Sequence, residues 1–295
     1  MYHQHPVEVL ESDVVADLPE ANTLLVQVTS RALFEQAHIP GAVLIEPSEL
    51  VCGVPPATGK LPDLSQIEAT LSRIGYQPDQ RVIAFDDEGG GWAGRLCWTL
   101  DVIGHHDWAY LDGGLHAWHS AGLPLTQEAT ETQPSQDLQL IIDRSPIAEM
   151  EDVMASIDDE SSLVWDVRSA EEYAGLRSGS ARRGHIPGAV NLDWELLKDS
   201  NRQLRLVENL DEIAASLGLL QAAQVITHCQ SHHRSGLSYL VGRLLGLNIK
   251  AFHGSWAEWG NDPHTPIENP SEANYSLVSS FLACKKFYPN MAFPA

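Results

Sequence analysis

Cysteine is scarce: four residues in 295, Cys52, Cys97, Cys229 and Cys284, with no C-x-x-C pair and no regular spacing. That excludes a small disulfide-stapled scaffold and favours a reducing, cytoplasmic setting. Cationic residues are also few. The 18 Lys and Arg face 40 Asp and Glu, a formal net charge of −22. Attraction to phosphate backbones or anionic lipid needs a cationic excess, so neither nucleic acid nor membrane is an expected partner. An anionic substrate is welcome only where local groups reverse the field. No run of about 18 apolar residues is present to span a bilayer. The opening MYHQHPVEVLESD has neither the basic nor the apolar segment of a secretory leader. What is there is an ordinary globular composition, 43% hydrophobic, at a length sufficient for two domains.

The chain repeats itself once. HIPGAV occupies 38–43 and again 185–190. RVIAFDDEGGGWAGRLCW lies where QVITHCQSHHRSGLSY lies in the second half, which sets Asp86 opposite Cys229. LDGGLHAW matches FHGSWAEW, setting Trp118 opposite Trp259, and LLVQVTS matches LVWDVRS. Each copy alternates short apolar strands with helical patterns. In RSGLSYLVGRLLG, Leu237, Leu240, Val241, Leu244 and Leu245 keep the spacing of an amphipathic helix, and Gly246 can end it. Strands alternating with helices predict an α/β protein of two tandem domains, each a mostly parallel sheet flanked by helices on both faces. The expected boundaries are 1–125 for the first domain, a polar linker over 126–141, 142–270 for the second, and an extension over 271–295 without a readable role.

The chemistry concentrates in VITHCQSHHRSGLSYL, residues 225–240. An apolar strand runs into Cys229, and a helix begins just beyond. Ligand sites in open α/β sheets lie past the carboxyl ends of strands, where main-chain N–H groups and the helix dipole favour an anion. A thiol there has its thiolate favoured, and Arg234 adds charge, which makes Cys229 a nucleophile. The alternative, an inert core cysteine, calls for apolar flanks, whereas Cys229 follows a histidine and precedes QSHHRS; Cys97, in GRLCWTLDVIG, suits that description better. Gln230, Ser231, His232, His233, Arg234 and Ser235 are the candidate loop and substrate-binding residues. His232 and His233 invite a metal, but adjacent side chains diverge and no Cys or His partner stands at ligand spacing, so no metal is expected; both are expected to line an anion pocket or to donate hydrogen bonds to it. In the first copy, Gly89, Gly91 and Gly94 fall in G-x-G-x-x-G register, but the preceding DDE would repel a pyrophosphate. That segment is better read as the first copy's version of the cysteine loop, with Asp86 in place of the thiol. The second copy also carries extra residues in AGLRSGSARRG, with Arg177, Arg182 and Arg183. They form either a surface insertion or a basic flap over the site, with Arg182 the pocket candidate.

The tandem architecture, HIPGAV in each half and a cysteine loop in the second half alone resemble the two-domain rhodanese sulfurtransferases over about residues 1–270. CQSHHRS is closest to the bacterial type reported in Azotobacter. The resemblance implies an inactive first domain packed on a catalytic second one, with Cys229 carrying a persulfide between a small anionic sulfur donor, thiosulfate, and a thiophilic acceptor such as cyanide or a sulfur-acceptor protein. It implies no metal or organic cofactor. Mercaptopyruvate sulfurtransferases typically carry a loop like C-G-S-G-V-T and an arginine four residues after the D-x-R motif; here Glu172 stands four beyond Arg168, which counts against that donor. Cysteine phosphatases place five residues between Cys and Arg where this loop has four, so its ring suits one added sulfur better than a phosphoryl group. A persulfide-carrying module for a sulfur or selenium pathway remains a further alternative. Asp166 and Arg168, in WDVRSAEEY, are expected to support the loop structurally, and Trp194 either walls the pocket or packs in the core.

Overall fold

A computed structural model describes residues 7–18 and 22–270. In the first half, β1 (Glu8–Leu10), β2 (Thr23–Val28), β3 (Val43–Ile45), β4 (Arg81–Phe85) and β5 (Trp108–Leu111) form one sheet in the order β1-β5-β4-β2-β3. The helices there are α1 (Ser12–Ala16), α2 (Arg31–Gln36), α3 (Leu64–Arg73), α4 (Gly91–Val102) and α5 (Gly114–Ser120). The second half supplies β6 (Ile147–Ala148), β7 (Ser162–Asp166), β8 (Val190–Asn191), the antiparallel pair β9 (Lys198–Asp199) and β10 (Arg205–Leu206), then β11 (Gln224–His228) and β12 (Ile249–Phe252). Its sheet runs β6-β12-β11-β7-β8, the same order as the first once strands are matched by position. Its helices are α6 (Met150–Ile157), α7 (Ala170–Tyr173), α8 (Leu210–Ser216), α9 (Arg234–Leu244) and α10 (Ser255–Trp259). Every pairing within the two five-stranded sheets is parallel. The expected class, tandem α/β domains with parallel sheets, is what the chain adopts.

Side chains alternate across each sheet with the period of two that a pleated strand imposes. Along β4, Val82 and Ala84 join one apolar cluster while Ile83 and Phe85 join another on the opposite face. Along β11, Val225 and Ile226 divide in the same way. The larger cluster does not stop at a domain boundary: Trp98 and Leu100 of α4 belong to it together with Leu237 and Leu240 of α9. The two helices pack where each carries glycine. A Cβ on Gly94 would lie 2.2 Å from the Gly236 carbonyl oxygen, and one on Gly236 would lie 2.3 Å from that of Gly91. This close approach brings the first domain against the segment that opens α9.

HIPGAV does the same structural work twice. His38 pairs through its main chain with Thr126, and His185 with Glu268. Each ring stacks on an aromatic neighbour, Phe34 at 3.8 Å and Tyr173 at 3.6 Å between centroids. Between the domains, residues 127–146 have neither helix nor strand and lie across the first domain, where Ser72 Oγ donates to the Ser135 carbonyl (2.6 Å) and Asp143 N–H to that of Val102 (2.7 Å). The extension over 271–295 lies outside the described residues.

Candidate active site

β11 runs between β7 and β12 in the middle of the second sheet, and its carboxyl end delivers Cys229 to the loop that precedes α9. The loop turns its carbonyls outward. Cys229 and Gln230 accept hydrogen bonds from the Trp256 and Ala257 N–H groups at the start of α10 (3.0 and 2.8 Å). The His232 carbonyl accepts from Arg95 Nη1 at 3.3 Å, and that of His233 from the Gly236 N–H at 2.9 Å. Ser255 Oγ collects the N–H groups of Cys229 (3.4 Å) and His232 (3.1 Å), which helps hold His232 at φ 54°. With its acceptors engaged outside, the ring presents N–H groups to the sulfur. Ser235 Oγ also donates toward Sγ, at 3.5 Å.

The thiol is only 1% exposed, and burial alone would raise its pKa. The Arg234 charge, the Ser235 hydroxyl and the N–H groups of Ser235 and Ser231 outweigh that, so the pKa falls below the ordinary thiol value. Arg234 is itself gripped: Nη1 and Nη2 reach the two Glu172 oxygens at 2.7 and 2.9 Å. Glu172 thus stands behind the cation that faces the sulfur and offsets part of its charge. Cys97 is fully buried and its thiol is pushed well above the usual range, as expected for an inert core cysteine.

A thiol in a donor-lined ring at a strand–helix junction, in the second of two matching domains, narrows the family sharply. A sequence model described as the rhodanese-like domain matches residues 11–121 and again 149–262. The chain belongs to the rhodanese-like family. It is 41% identical over 264 residues to a thiosulfate sulfurtransferase of Pseudomonas aeruginosa, and 39% identical over 264 residues to one of Azotobacter vinelandii; each match covers 89% of this chain and 97% of the relative. Among solved structures, an anaerobic ergothioneine biosynthesis enzyme from Chlorobium limicola superposes with a TM-score of 0.79 over 89% of this chain and 70% of its own. At 19% identity that likeness concerns the fold.

The rhodanese-like loop disposes its other side chains unevenly. His232 turns inward: Nδ1 lies 2.7 Å from Ser235 Oγ, and the ring meets Trp98 edge-on at 4.5 Å. If Ser235 gives its single proton to Sγ, Nδ1 must carry hydrogen, which leaves Nε2 as the bare nitrogen; Nε2 has no hydrogen-bond partner. Burial drives this imidazole well below its usual pKa and keeps it neutral. His233 turns the other way, stacks on Trp92 of the first domain at 4.4 Å and bonds to Glu88. Neither ring makes a hydrogen bond to the thiol: His232 braces Ser235, and His233 joins the domains. Gln230 Nε2 reaches Ser180 Oγ at 3.1 Å, and the Ser231 carbonyl is covered by Gly59, where a Cβ would lie 1.8 Å from its oxygen.

Trp194 is buried beside His233, 5.6 Å between ring centroids, with Lys198 Nζ 3.5 Å over its ring. Asp166 and Arg168 form a fully buried pair, Nη2 to Oδ2 at 2.6 Å, with the guanidinium also bonded to the Gly184 carbonyl and 4.2 Å over Trp256. Arg182 departs from expectation. Its guanidinium donates to the carbonyls of Thr265 (2.8 Å) and Trp259 (3.0 Å), and so clips its loop to the segment after α10 instead of entering a pocket. The inserted loop does touch the cysteine loop, but through Ser180 and Gly179. Sequence reading passed over Ser255, Gly59 and Arg95. Ser255 stands in the sequence only as part of a repeat landmark, and a glycine that acts across a domain interface leaves no local pattern.

The first domain contains the same ring with a different occupant. α4 opens five residues after Asp86 (91 − 86), as α9 does after Cys229 (234 − 229). The Asp86 carboxylate fills the ring and accepts N–H groups from Glu88 (3.2 Å), Gly89 (3.0 Å), Gly90 (2.9 Å) and Ala93 (2.9 Å). One copy of the cradle therefore holds an acid side chain on main-chain donors, which is internal testimony to what the geometry accepts.

Proposed function

We propose that the protein moves a sulfane sulfur from thiosulfate to a thiophilic acceptor, cyanide in assay, by double displacement through a persulfide on Cys229. The observation that carries this is the ring of inward N–H groups and the Ser235 hydroxyl around a thiol whose pKa is lowered despite burial. The two relatives at 39–41% identity, both named thiosulfate sulfurtransferase, support it.

In the first displacement the Cys229 thiolate attacks the outer sulfur of thiosulfate. A bond forms between the two sulfurs, the bond from outer sulfur to sulfonate sulfur breaks, and sulfite leaves with that electron pair. The negative charge of the thiolate passes to the terminal sulfur of Cys–S–S⁻. The N–H ring and Ser235 stabilise that charge where it develops. In the second displacement cyanide takes the terminal sulfur as thiocyanate and returns the thiolate. No redox partner enters, because sulfur only changes hands. Four residues between Cys229 and Arg234 leave a small ring, suited to one sulfur atom rather than to a phosphoryl group. Glu172, paired with Arg234, makes the rim unfavourable for a donor carboxylate, which disfavours mercaptopyruvate. The thiols of the described residues are unpaired, in keeping with a reducing cytoplasm.

Initial rates over a grid of thiosulfate and cyanide concentrations test this: parallel double-reciprocal lines are expected, with no turnover in Cys229→Ala and at least a tenfold lower kcat/KM with 3-mercaptopyruvate. Intersecting lines, activity in Cys229→Ala or hydrolysis of a generic phosphate ester would reject it. The near-closure of the thiol favours a second reading, a carrier that keeps its sulfur for a protein acceptor. That reading expects slow cyanide turnover beside a long-lived loaded state.

A further inference from the structure

Three arginines are buried in the described residues around α4 and α9, and two of them face carboxylates: Arg168 meets Asp166 and Arg243 meets Asp101. The third, Arg95 on α4, is 0% exposed, and no carboxylate of the described residues lies within ion-pair distance of it. Its guanidinium donates to main-chain oxygens alone, from Nη1 to Gly59 (2.6 Å) and His232 (3.3 Å) and from Nη2 to Leu50 (2.6 Å), while Nε has no partner. The ring of Trp98 lies 4.7 Å from it. A buried cation without a countercharge is strongly disfavoured. Two of its hydrogen bonds anchor it in the first domain, at Gly59 and Leu50, and the third ties it to the cysteine loop at His232.

We infer that Arg95, contributed by the domain that lacks the thiol, is a positioning residue whose charge serves as the countercation of the Cys229 thiolate and of the persulfide made from it. It works in two ways. By holding the His232 carbonyl outward it keeps the neighbouring N–H groups of the loop aimed at the sulfur. By carrying an uncompensated charge in a buried interface it favours the anionic over the neutral state of that sulfur, where the low dielectric makes the charge effective. The surroundings leave few other candidates for its partner. Burial lowers the Arg95 pKa to about 9; the anionic forms of Cys229 and Cys52 would raise it again, and the neutral imidazoles of His232 and His253 would not. Lys60 and Glu149 stand behind His253 and pair with each other. Arg234 adds its own charge to the sulfur, tempered by Glu172. The first domain is thus part of the active site electrostatically, although its own ring is filled by Asp86.

This inference rests on Cys229 being the sulfur-bearing nucleophile, and its test reads the thiol itself. The rate of iodoacetamide alkylation is followed against pH on the Cys229 peptide by mass spectrometry in wild type, Arg95→Gln and Arg95→Lys. The Arg95→Gln midpoint is expected to rise by about one pH unit, and Arg95→Lys to stay within about 0.3 unit of wild type because the charge remains. An Arg95→Gln midpoint equal to wild type overturns the inference, as does a shift of the same size in Arg95→Lys, which would mean that the fork geometry alone matters. Should Arg95→Gln lose the near-ultraviolet circular dichroism of the wild type, the wild type decides: loading Cys229 with sulfur at pH 6 places an anion beside Arg95 and raises Tm, and an unchanged or lower Tm overturns the inference. Wild type that takes up no sulfur from thiosulfate ends the sulfur-transfer reading separately, since the alkylation midpoint does not depend on it.

Discussion

Replacing Glu172 by Gln separates two effects that usually move together, stability and thiol reactivity. In the wild type both carboxylate oxygens receive Arg234, and Oε2 also accepts the Ser169 N–H at 3.2 Å at the start of α7. The side chains of Glu172 and Arg234 are 10% and 19% exposed, so the pair is mostly shielded from solvent. Breaking a fully buried pair costs about 3–5 kcal/mol. Gln keeps an acceptor for one guanidinium N–H and some solvent reaches the site, so a loss of about 2 kcal/mol is the reasonable figure. For a cooperative unit of this size that lowers Tm by about 4–8 °C. Burial would raise the Glu172 pKa, but Arg234, the Ser169 N–H and Arg168 bring it below the usual value. A depressed carboxylate contributes stability that is fully present above its unfolded pKa of about 4.3 and is lost as pH falls through the folded value. The Tm gap between wild type and Glu172→Gln is therefore full at pH 7 and shrinks below about pH 4.5. Meanwhile Arg234, freed of its countercharge, favours the thiolate more, and the Cys229 alkylation midpoint should fall by about half a pH unit. Thermal unfolding across pH and alkylation of the Cys229 peptide measure the two effects. A variant as stable as wild type within about 0.5 kcal/mol, or a midpoint that rises, refutes the claim that Glu172 restrains Arg234.

Gly236→Ala puts a methyl group 2.3 Å from the Gly91 carbonyl oxygen and 2.5 Å from the main-chain nitrogen of Arg95; a loss of about 1–3 kcal/mol is expected in thermal unfolding, and an unchanged Tm would show that the domain contact yields easily. Asp86→Ala leaves four inward N–H groups without their acceptor; stability should drop by at least about 2 kcal/mol, and added sulfate should recover more of it than it adds to wild type, whereas equal sulfate effects would deny the ring its preference for anions. His105, His228, His232 and His253 all have pKa values lowered by burial. Each therefore contributes stability that is present above the unfolded histidine value of about 6.5 and lost as pH falls below it. Asp86, Asp112 and Asp193, whose pKa values burial raises (Asp112 to about 6), work the other way, three groups against four. Tm should decline between pH 6.5 and 5, before most carboxylates titrate, and a flat Tm over that window would contradict the burial of neutral imidazoles.

The tandem α/β fold was legible because it is written twice. Two copies of HIPGAV, matching strand–loop–helix units and the substitution of Asp86 for Cys229 are local patterns, and strand and helix periodicities report local geometry. The strand–helix junction that holds Cys229 was legible for the same reason. What lay hidden belongs to the space between domains. His232 and His233 are neighbours in sequence, yet one packs on Trp98 and the other on Trp92 and Glu88, because the ring turns between them. Arg182 looked like a flap cation, but the carbonyls of residues 259–265 were closer to hand. Arg95 had one visible signal, an arginine in GRLCW on a mostly apolar helix. A helix of that kind is buried all round, and a charge on it must have a partner.

Intact-mass measurement after thiosulfate treatment, on wild type and Cys229→Ala, is the most direct test that Cys229 holds the transferred sulfur. The wild type should gain one sulfur, about 32 Da as a persulfide, the variant should gain nothing, and cyanide should restore the wild-type mass. Sulfur found on Cys52, Cys97 or Cys284, or retained in Cys229→Ala, would contradict the account.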